Sequence, residues 1–172
     1  MTEVLPLSLA DAAAALAVMQ AAAGGLGRRP EEMDLAWIEG SIAGALEAGV
    51  ALGARIDGRL VGTIKAPRMP GVQFEHVLWD LTVAVHPEAQ GKGVARALFE
   101  ALFIEAGRLE PPVARIELVV REGLTHAIRL YESLGFRVEG RFEGRFRLAD
   151  GTVEADLPMA RFLTKSVDVA SP

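Results

Sequence analysis

The sequence predicts an α+β fold built on a mixed sheet. Three features lead there. Strand-like runs cluster as hairpins toward both ends of the chain, around Asp57-Gly58 and Asp150-Gly151. Helical repeats are inserted between them, and the middle of the chain reads strand, helix, strand. The 172 residues suit one domain, and their balance of 51% apolar to 24% charged is that of a globular chain with a real core. We expect a single domain over residues 1–165 and a short C-terminal tail at 166–172.

Each element has a local reason. Residues 4–7 make a first strand. Ser8 with Asp11 is an S-x-x-D capping box that opens an alanine-rich helix to about residue 22, where Gly24, Gly25 and Gly27 break it. Pro30 opens a second helix with Glu31, Glu32 and Asp34 in a first turn that favours anions, and Trp37, Ile38, Ile42 and Leu46 form its apolar stripe. Strands at 50–56 and 59–66 flank the two-residue turn signal Asp57-Gly58. A fourth strand over 76–85 ends at His86-Pro87. Residues 91–107 carry Val94, Leu98 and Leu102 at helical spacing. Pro111-Pro112 separates them from a buried strand at 114–120, and a last helix at 125–134 stops at Gly135. In the closing hairpin, Asp150-Gly151 as a two-residue turn would face Leu148 with Val153, Phe146 with Ala155 and Phe142 with Met159. The other face would pair Arg147 with Glu154 and Arg145 with Asp156, a solvated ladder of ion pairs.

Composition excludes several chemistries. With no cysteine there is no disulfide, thiolate metal site or cysteine nucleophile. His76, His86 and His126 are dispersed and no H-x-x-x-H pattern joins them, so no metal is expected. A net charge of −5 argues against a nucleic-acid partner. The apolar run at 12–19 lacks a basic leader, being preceded by Glu3 and Asp11, and no apolar stretch is long enough to span a bilayer. The expectation is a cytoplasmic protein with no membrane partner.

The strongest chemical signal is Gln90-Gly91-Lys92-Gly93-Val94-Ala95-Arg96, between a strand and a helix. Glycines let backbone N–H groups approach a ligand, and the helix N-terminus adds orphan donors and a positive dipole end, which together suit a phosphate. It is not a P-loop, which needs G-x-x-x-x-G-K-[ST]. Nor is it a dinucleotide fingerprint, which needs Gly or Ala where Arg96 stands and an acidic residue on a later strand. Tyr131, the only tyrosine, shares a helical face with Leu124 and Ile128, so its phenol is expected to be buried and to need a partner.

The stretch from Val83 through Val85, His86-Pro87 and Gln90 to Leu98 resembles the cofactor-binding motif of the GNAT superfamily of acetyltransferases, Q/R-x-x-G-x-G/A after a V-x-P turn. Gln90, Gly93 and Ala95 match its three defining positions. A second block is similar to the family's A-x-x-x-Y-x-x-x-G-F, with Ala127, Tyr131, Gly135 and Phe136 in place. The likeness covers nearly the whole chain. Residues 135–163, with a G-F-x-x-E-G start and an M-A-R end, look most like the branch that acetylates small amines or amino acids. One position departs: many members carry Asn where this chain has Leu124.

The resemblance implies a mostly antiparallel sheet of about seven strands with about four helices and splayed central strands. It implies acetyl-CoA as cosubstrate, without metal, and a small-molecule amine as acceptor; a homodimer is left open. The backbone of Val83, Ala84 and Val85 would meet the pantetheine arm. The pyrophosphate would lie over Gly91, Lys92, Gly93, Val94, Ala95 and Arg96 next to Gln90. Tyr131 would stand by the sulfur as the acid that protonates it. An amine of pKa ~10 must lose a proton before attack, so a base is needed. Asp80 on the cofactor-side strand is the first candidate, with Glu75, His76 and Glu117 as others. Rival readings are a protein N-terminus as acceptor and a non-catalytic acyl-CoA-binding module.

Overall fold

A computed structural model describes residues 1–163. The expected tail at 166–172 lies outside the described residues. Two sheets share one core. The first has the order β1-β2-β3-β5, from β1 (Thr2–Pro6), β2 (Val50–Ile56), β3 (Arg59–Ala66) and β5 (Thr82–Val85), all antiparallel. The second joins β4 (Val77–Leu78), β6 (Arg115–Arg121), β9 (Val153–Phe162) and β7 (Arg137–Val138) in that order, with β8 (Phe142–Arg147) also on β9. Only the β4–β6 pairing is parallel.

The fold class is therefore as expected, but the described residues hold nine strands rather than about seven. The short β7 is one addition. The other comes from the fourth expected strand, which divides: β4 belongs to the second sheet, β5 to the first, and Asp80 between them turns the chain with φ of 45°. A non-glycine residue rarely adopts that conformation, though Asp does so more readily than most.

Helices α1 (Ala12–Ala21) and α2 (Leu35–Ala48) cover one face of the first sheet, and α3 (Val94–Ala106) covers the other. Ser8 caps as expected, its N–H donating to Asp11 at 2.9 Å. The second helix starts later than expected. Pro30–Glu32 is a separate 3₁₀ turn, and Asp34 is the true cap, accepting from the Trp37 N–H at 2.8 Å. Of the expected stripe, Ile38 and Ile42 are buried with Ala45, while Leu46 stands in solvent at 45% exposure.

Asp57-Gly58 turns as anticipated, both residues left-handed (φ of 51° and 78°), as a two-residue hairpin loop requires. A bulge at Ala54/Arg55 then shifts the alternation of β3. Gly62, Ile64 and Ala66 face α3, whereas Thr63 and Lys65 face α1 and α2.

The last hairpin corrects the expected register. Leu148 N–H donates to Thr152 (2.8 Å) and Gly151 N–H to Leu148 (3.0 Å), with Gly151 at φ of 90°. This is a three-residue loop ending in a left-handed glycine, not a two-residue turn. The strands slip by one: Arg147 faces Val153 and Phe146 faces Glu154. A bulge at Gly144 (φ of 59°) then sets Phe142 opposite Asp156. Arg145 still reaches Asp156, at 3.7 Å, from within the bulge.

Candidate active site

The glycine loop is built as a cradle. The Gln90 side chain donates to the Val85 carbonyl (3.2 Å) and ties the loop to the end of β5. Gly91 and Gly93 are left-handed (φ of 73° and 78°), and nothing lies within 4 Å of where a Cβ would stand on either. The first backbone bond of α3 runs from Ala97 to Gly93 (3.0 Å), so the N–H groups of Val94, Ala95 and Arg96 have no acceptor along the helix. The Val94 side chain is buried and anchors this end while its N–H points out of the helix. Lys92 is exposed, and the Arg96 guanidinium bonds the Ser133 hydroxyl (2.7 Å).

Beyond the loop, β5 and β6 do not pair. The His86 N–H donates to Val61 across the ladder (2.8 Å). Alternation along an antiparallel strand therefore turns the N–H groups of Val83 and Val85 away from β3, into the gap, while the Ala84 side chain is buried under α1. The gap is a cavity of about 670 Å³, lined by Val83, Val85 and Gln90 on one side and by Leu118, Val120 and Tyr131 on the other.

Tyr131 is held there by the end of α4 (Thr125–Ser133). Phe136 N–H donates to the Tyr131 carbonyl (3.0 Å) and Gly135 N–H to Glu132 (2.9 Å), a Schellman closure that needs the left-handed Gly135 (φ of 88°). Phe136 folds back on Tyr131 (ring centroids 6.1 Å apart) and Phe99 meets it edge-on at 5.5 Å. The sequence block that ends in Gly135-Phe136 thus fixes the orientation of the ring. Burial pushes the phenol up to about 12, so it is protonated at any physiological pH.

A second cavity, of about 680 Å³, lies between the first sheet and the α1–α2 layer. Leu26, Gly27, Asp80 and Thr82 line both cavities, so the two meet at the strand break. Arg121 on β6 donates to the Gly24 carbonyl (2.8 Å) and pins the glycine-rich α1–α2 connection across this junction. Lys65, opposite Thr82 in the ladder, lines this second cavity alone and is 2% exposed. Its ammonium donates to Ser41 Oγ (2.7 Å), touches Met19 Sδ (3.6 Å) and sits over the Trp37 ring (5.3 Å). Burial brings it down to about 8, with the charge of Asp80 holding it from falling further.

The structure thus sets Tyr131, Asp80, Val83, Ala84, Val85 and Gln90 in the lining of one gap, with Asp80 where it meets the second cavity and Gln90 where it meets the glycine loop. Three candidates for a base lie elsewhere. Glu75 and His76 precede β4 and line neither cavity, and Glu117 is bonded to Arg115 at 2.6 Å on the second sheet. Leu124 heads α4 without a side-chain cap, beside Thr125 and His126 on the gap wall. Lys65, Ser41 and Arg28 were not anticipated. Among the described residues no cluster of His, Cys, Asp and Glu could hold a metal ion, and no helix is long and apolar enough to cross a membrane.

Residues 17–136 match the family model described as the Acetyltransferase (GNAT) family. No curated protein matches the chain. Among solved structures, an acetyltransferase of the GNAT family from Streptococcus pneumoniae shares the fold at TM-score 0.83 and 17% identity, over 94% of this chain and 99% of that one. A putative acetyltransferase from Salmonella typhimurium, solved with its cofactor acetyl-CoA, gives TM-score 0.82 at 24% identity over 100% and 98%. A ribosomal-protein-alanine N-acetyltransferase from Brucella melitensis gives 0.80 at 26% over 93% and 99%.

Proposed function

The chain belongs to the GNAT family of acetyl-CoA-dependent N-acetyltransferases, and from that premise we propose that its acceptor is the amine of a small molecule, an amino acid or a related amine. The observation that carries this reading is the meeting of two cavities at Asp80. One is a slot between unpaired strands leading from the glycine loop. The other is a pocket roofed by α1 and α2 with a buried lysine in its wall. The residues fit the cosubstrate. A β-edge with inward N–H groups at Val83 and Val85 suits the amides of a pantetheine arm, and the open N–H groups around Gly91 and Gly93 suit its pyrophosphate. The rival acceptor is a protein N-terminus, and the Brucella melitensis relative is named as a ribosomal-protein-alanine N-acetyltransferase.

Chemistry at the junction balances. The bound ammonium gives one proton through Asp80 to solvent. The free amine attacks the thioester carbon, the C–N bond forms and the C–S bond breaks. The nitrogen's second proton leaves by the same route, and the sulfur takes the phenol proton of Tyr131, which solvent replaces. A neighbouring N–H of β5 polarises the carbonyl as its oxygen gains charge. Thiol release from acetyl-CoA with a panel of amino acids, polyamines and short peptides tests the reading. Turnover restricted to peptides would overturn it.

Two variants follow. Asp80→Asn keeps a side chain that tolerates the left-handed backbone and removes only the charge. Steady-state turnover at pH 7 should fall on the order of 10²-fold, and the deficit should shrink at alkaline pH, where the amine deprotonates unaided. A deficit independent of pH would leave Asp80 a structural residue. Gly93→Val places a β-branched residue at φ of 78° and a methyl pair over the cradle. CoA affinity by calorimetry should drop about tenfold or more, since the methyls occupy the space through which the open N–H groups meet the phosphate; the ~1–2 kcal/mol of left-handed strain falls on stability instead. Unchanged affinity with an intact fold would remove the phosphate from this loop.

A further inference from the structure

Lys65 is a buried cation without a bonded anion. It is 2% exposed, and among the described residues the carboxylate whose charge favours the ammonium is Asp80, through space and beyond ion-pair contact. Its three N–H bonds meet one good acceptor, Ser41 Oγ at 2.7 Å, and one weak one, Met19 Sδ at 3.6 Å, which leaves donor capacity facing the cavity. An ammonium buried so incompletely is costly unless something else completes its shell. A second cation borders the same space: the Arg28 guanidinium lies over the Trp37 ring at 5.1 Å and lines the cavity. The cavity's one carboxylate is Asp80, at the junction with the slot. The pocket therefore offers both signs of charge: Asp80 where it meets the slot, and Lys65 and Arg28 within the pocket alone.

Resting on the small-molecule reading above, we infer that Lys65, with Ser41 and Arg28, binds a carboxylate of the acceptor, so that the substrate class is an amine that carries an acid group, of the amino-acid type. The ammonium of such a zwitterion meets Asp80, and its carboxylate completes the Lys65 shell. A polyamine or a plain alkylamine would leave Lys65 unsatisfied and set a second cation against it. This is the asymmetry that gives large discrimination against analogues lacking the bonded group.

The test uses matched sets at pH 7: common amino acids, their carboxamides, the corresponding amines without the carboxyl group, and short peptides. Each is measured by thiol release with wild type and with Lys65→Met. Wild type should prefer acid over amide on the order of 10- to 100-fold in kcat/KM, with the difference mainly in KM. The amide carries the more readily deprotonated amine, so its intrinsic reactivity cannot produce that preference. In Lys65→Met the ratio should collapse toward unity through loss on the acids, while CoA affinity by calorimetry is retained. Amides or carboxyl-free amines used as well as acids would overturn the inference and leave the small-molecule reading standing. Turnover of peptides alone, or none at all with CoA binding intact, would overturn both. Should Lys65→Met fail to fold, the wild-type ratio of acid to amide decides by itself.

Discussion

Tyr131→Phe should lower the single-turnover rate of acetyl transfer by roughly 10²–10⁴-fold at neutral pH and leave CoA affinity within a few-fold. The substitution keeps the ring, and the ring is what the fold uses: it packs on Phe99 and Phe136, and the backbone closure around Gly135 does not involve the hydroxyl. Only the proton is removed. A departing thiolate has a pKa near ~8.5, and the Tyr131 phenol is pushed up to about 12. Referred to water, the proton transfer is uphill by ~5 kcal/mol. The same dry surroundings that raise the phenol also raise the thiolate, so the gap inside the site is smaller, and the alternative is to expel a bare anion there. The raised value has a second consequence. An acid titrating near 12 is fully protonated through the working range, so no alkaline limb from Tyr131 should appear below about pH 10 in the wild-type profile. Single-turnover rates are the fair measure, because slow product release in the wild type would hide part of the loss. An unchanged rate would return Tyr131 to the core as packing alone, with water protonating the sulfur.

Lys65→Met should stabilise the protein at pH 7, with the gain vanishing in alkali. The folded state holds the Lys65 ammonium down to about 8, against an ordinary 10.5 for the unfolded chain. The folded form therefore binds fewer protons between these values, and stability rises with pH across that window. Below pH 8 the fold carries the whole penalty, at most ~3 kcal/mol for such a shift; by pH 10.5 it carries almost none. The groups that face the ammonium are Asp80 from the strand break and Arg28 from the α1–α2 connection, while α2 contributes neutral Ser41 and Trp37 and α1 contributes Met19. Methionine matches the stem in length and needs no counter-charge. Urea or thermal unfolding at pH 7 should give a gain of about 1–3 kcal/mol, or several degrees in Tm, narrowing as pH approaches 10.5. A variant no more stable than wild type at pH 7 would mean that the ammonium is well solvated in the folded protein.

How much of this was readable from the sequence depended on the range of the forces involved. Glycine at 91, 93 and 135 marks backbone that other residues avoid: the sequence implies a close ligand approach at the first two and a helix stop at the third, and all three are left-handed. Tyr131 was legible from one helical face and a family-like block. The hairpin register was not. Asp150-Gly151 suits both a two-residue turn and a type I turn closed by a left-handed glycine, and the choice moves every partner by one. The division of the fourth strand at Asp80 was hidden because the apolar run through 77–85 continues on both sides of the break. Lys65 was missed for a deeper reason. In a strand flanked by apolar residues a lysine reads as solvent-facing. It faces inward because both faces of the first sheet are covered, and because α1 and α2, distant in sequence, close over the face it occupies. Glu75, His76 and Glu117 erred the opposite way: nearness in sequence to Asp80, or on the next strand, did not bring them to the junction.

The missing ladder between β5 and β6 also sets the mechanics of the molecule. Elsewhere, sliding one strand past its neighbour would break backbone hydrogen bonds. Along this seam there is no ladder to break, and the backbone bonds that join the two sheets are confined to the bridge of Arg68 with Leu78, where Met69 N–H donates to Val77 (2.9 Å) and Trp79 N–H to Pro67 (3.0 Å). What resists is softer and more graded: the aromatic stack of Phe99, Tyr131 and Phe136, the single turn of chain through Asp80, and the Arg121 tether to Gly24. The ladder is thus missing along the line where, in the function proposed above, a long, flexible cosubstrate would thread and leave, while hydrogen bonds run unbroken across each sheet on either side.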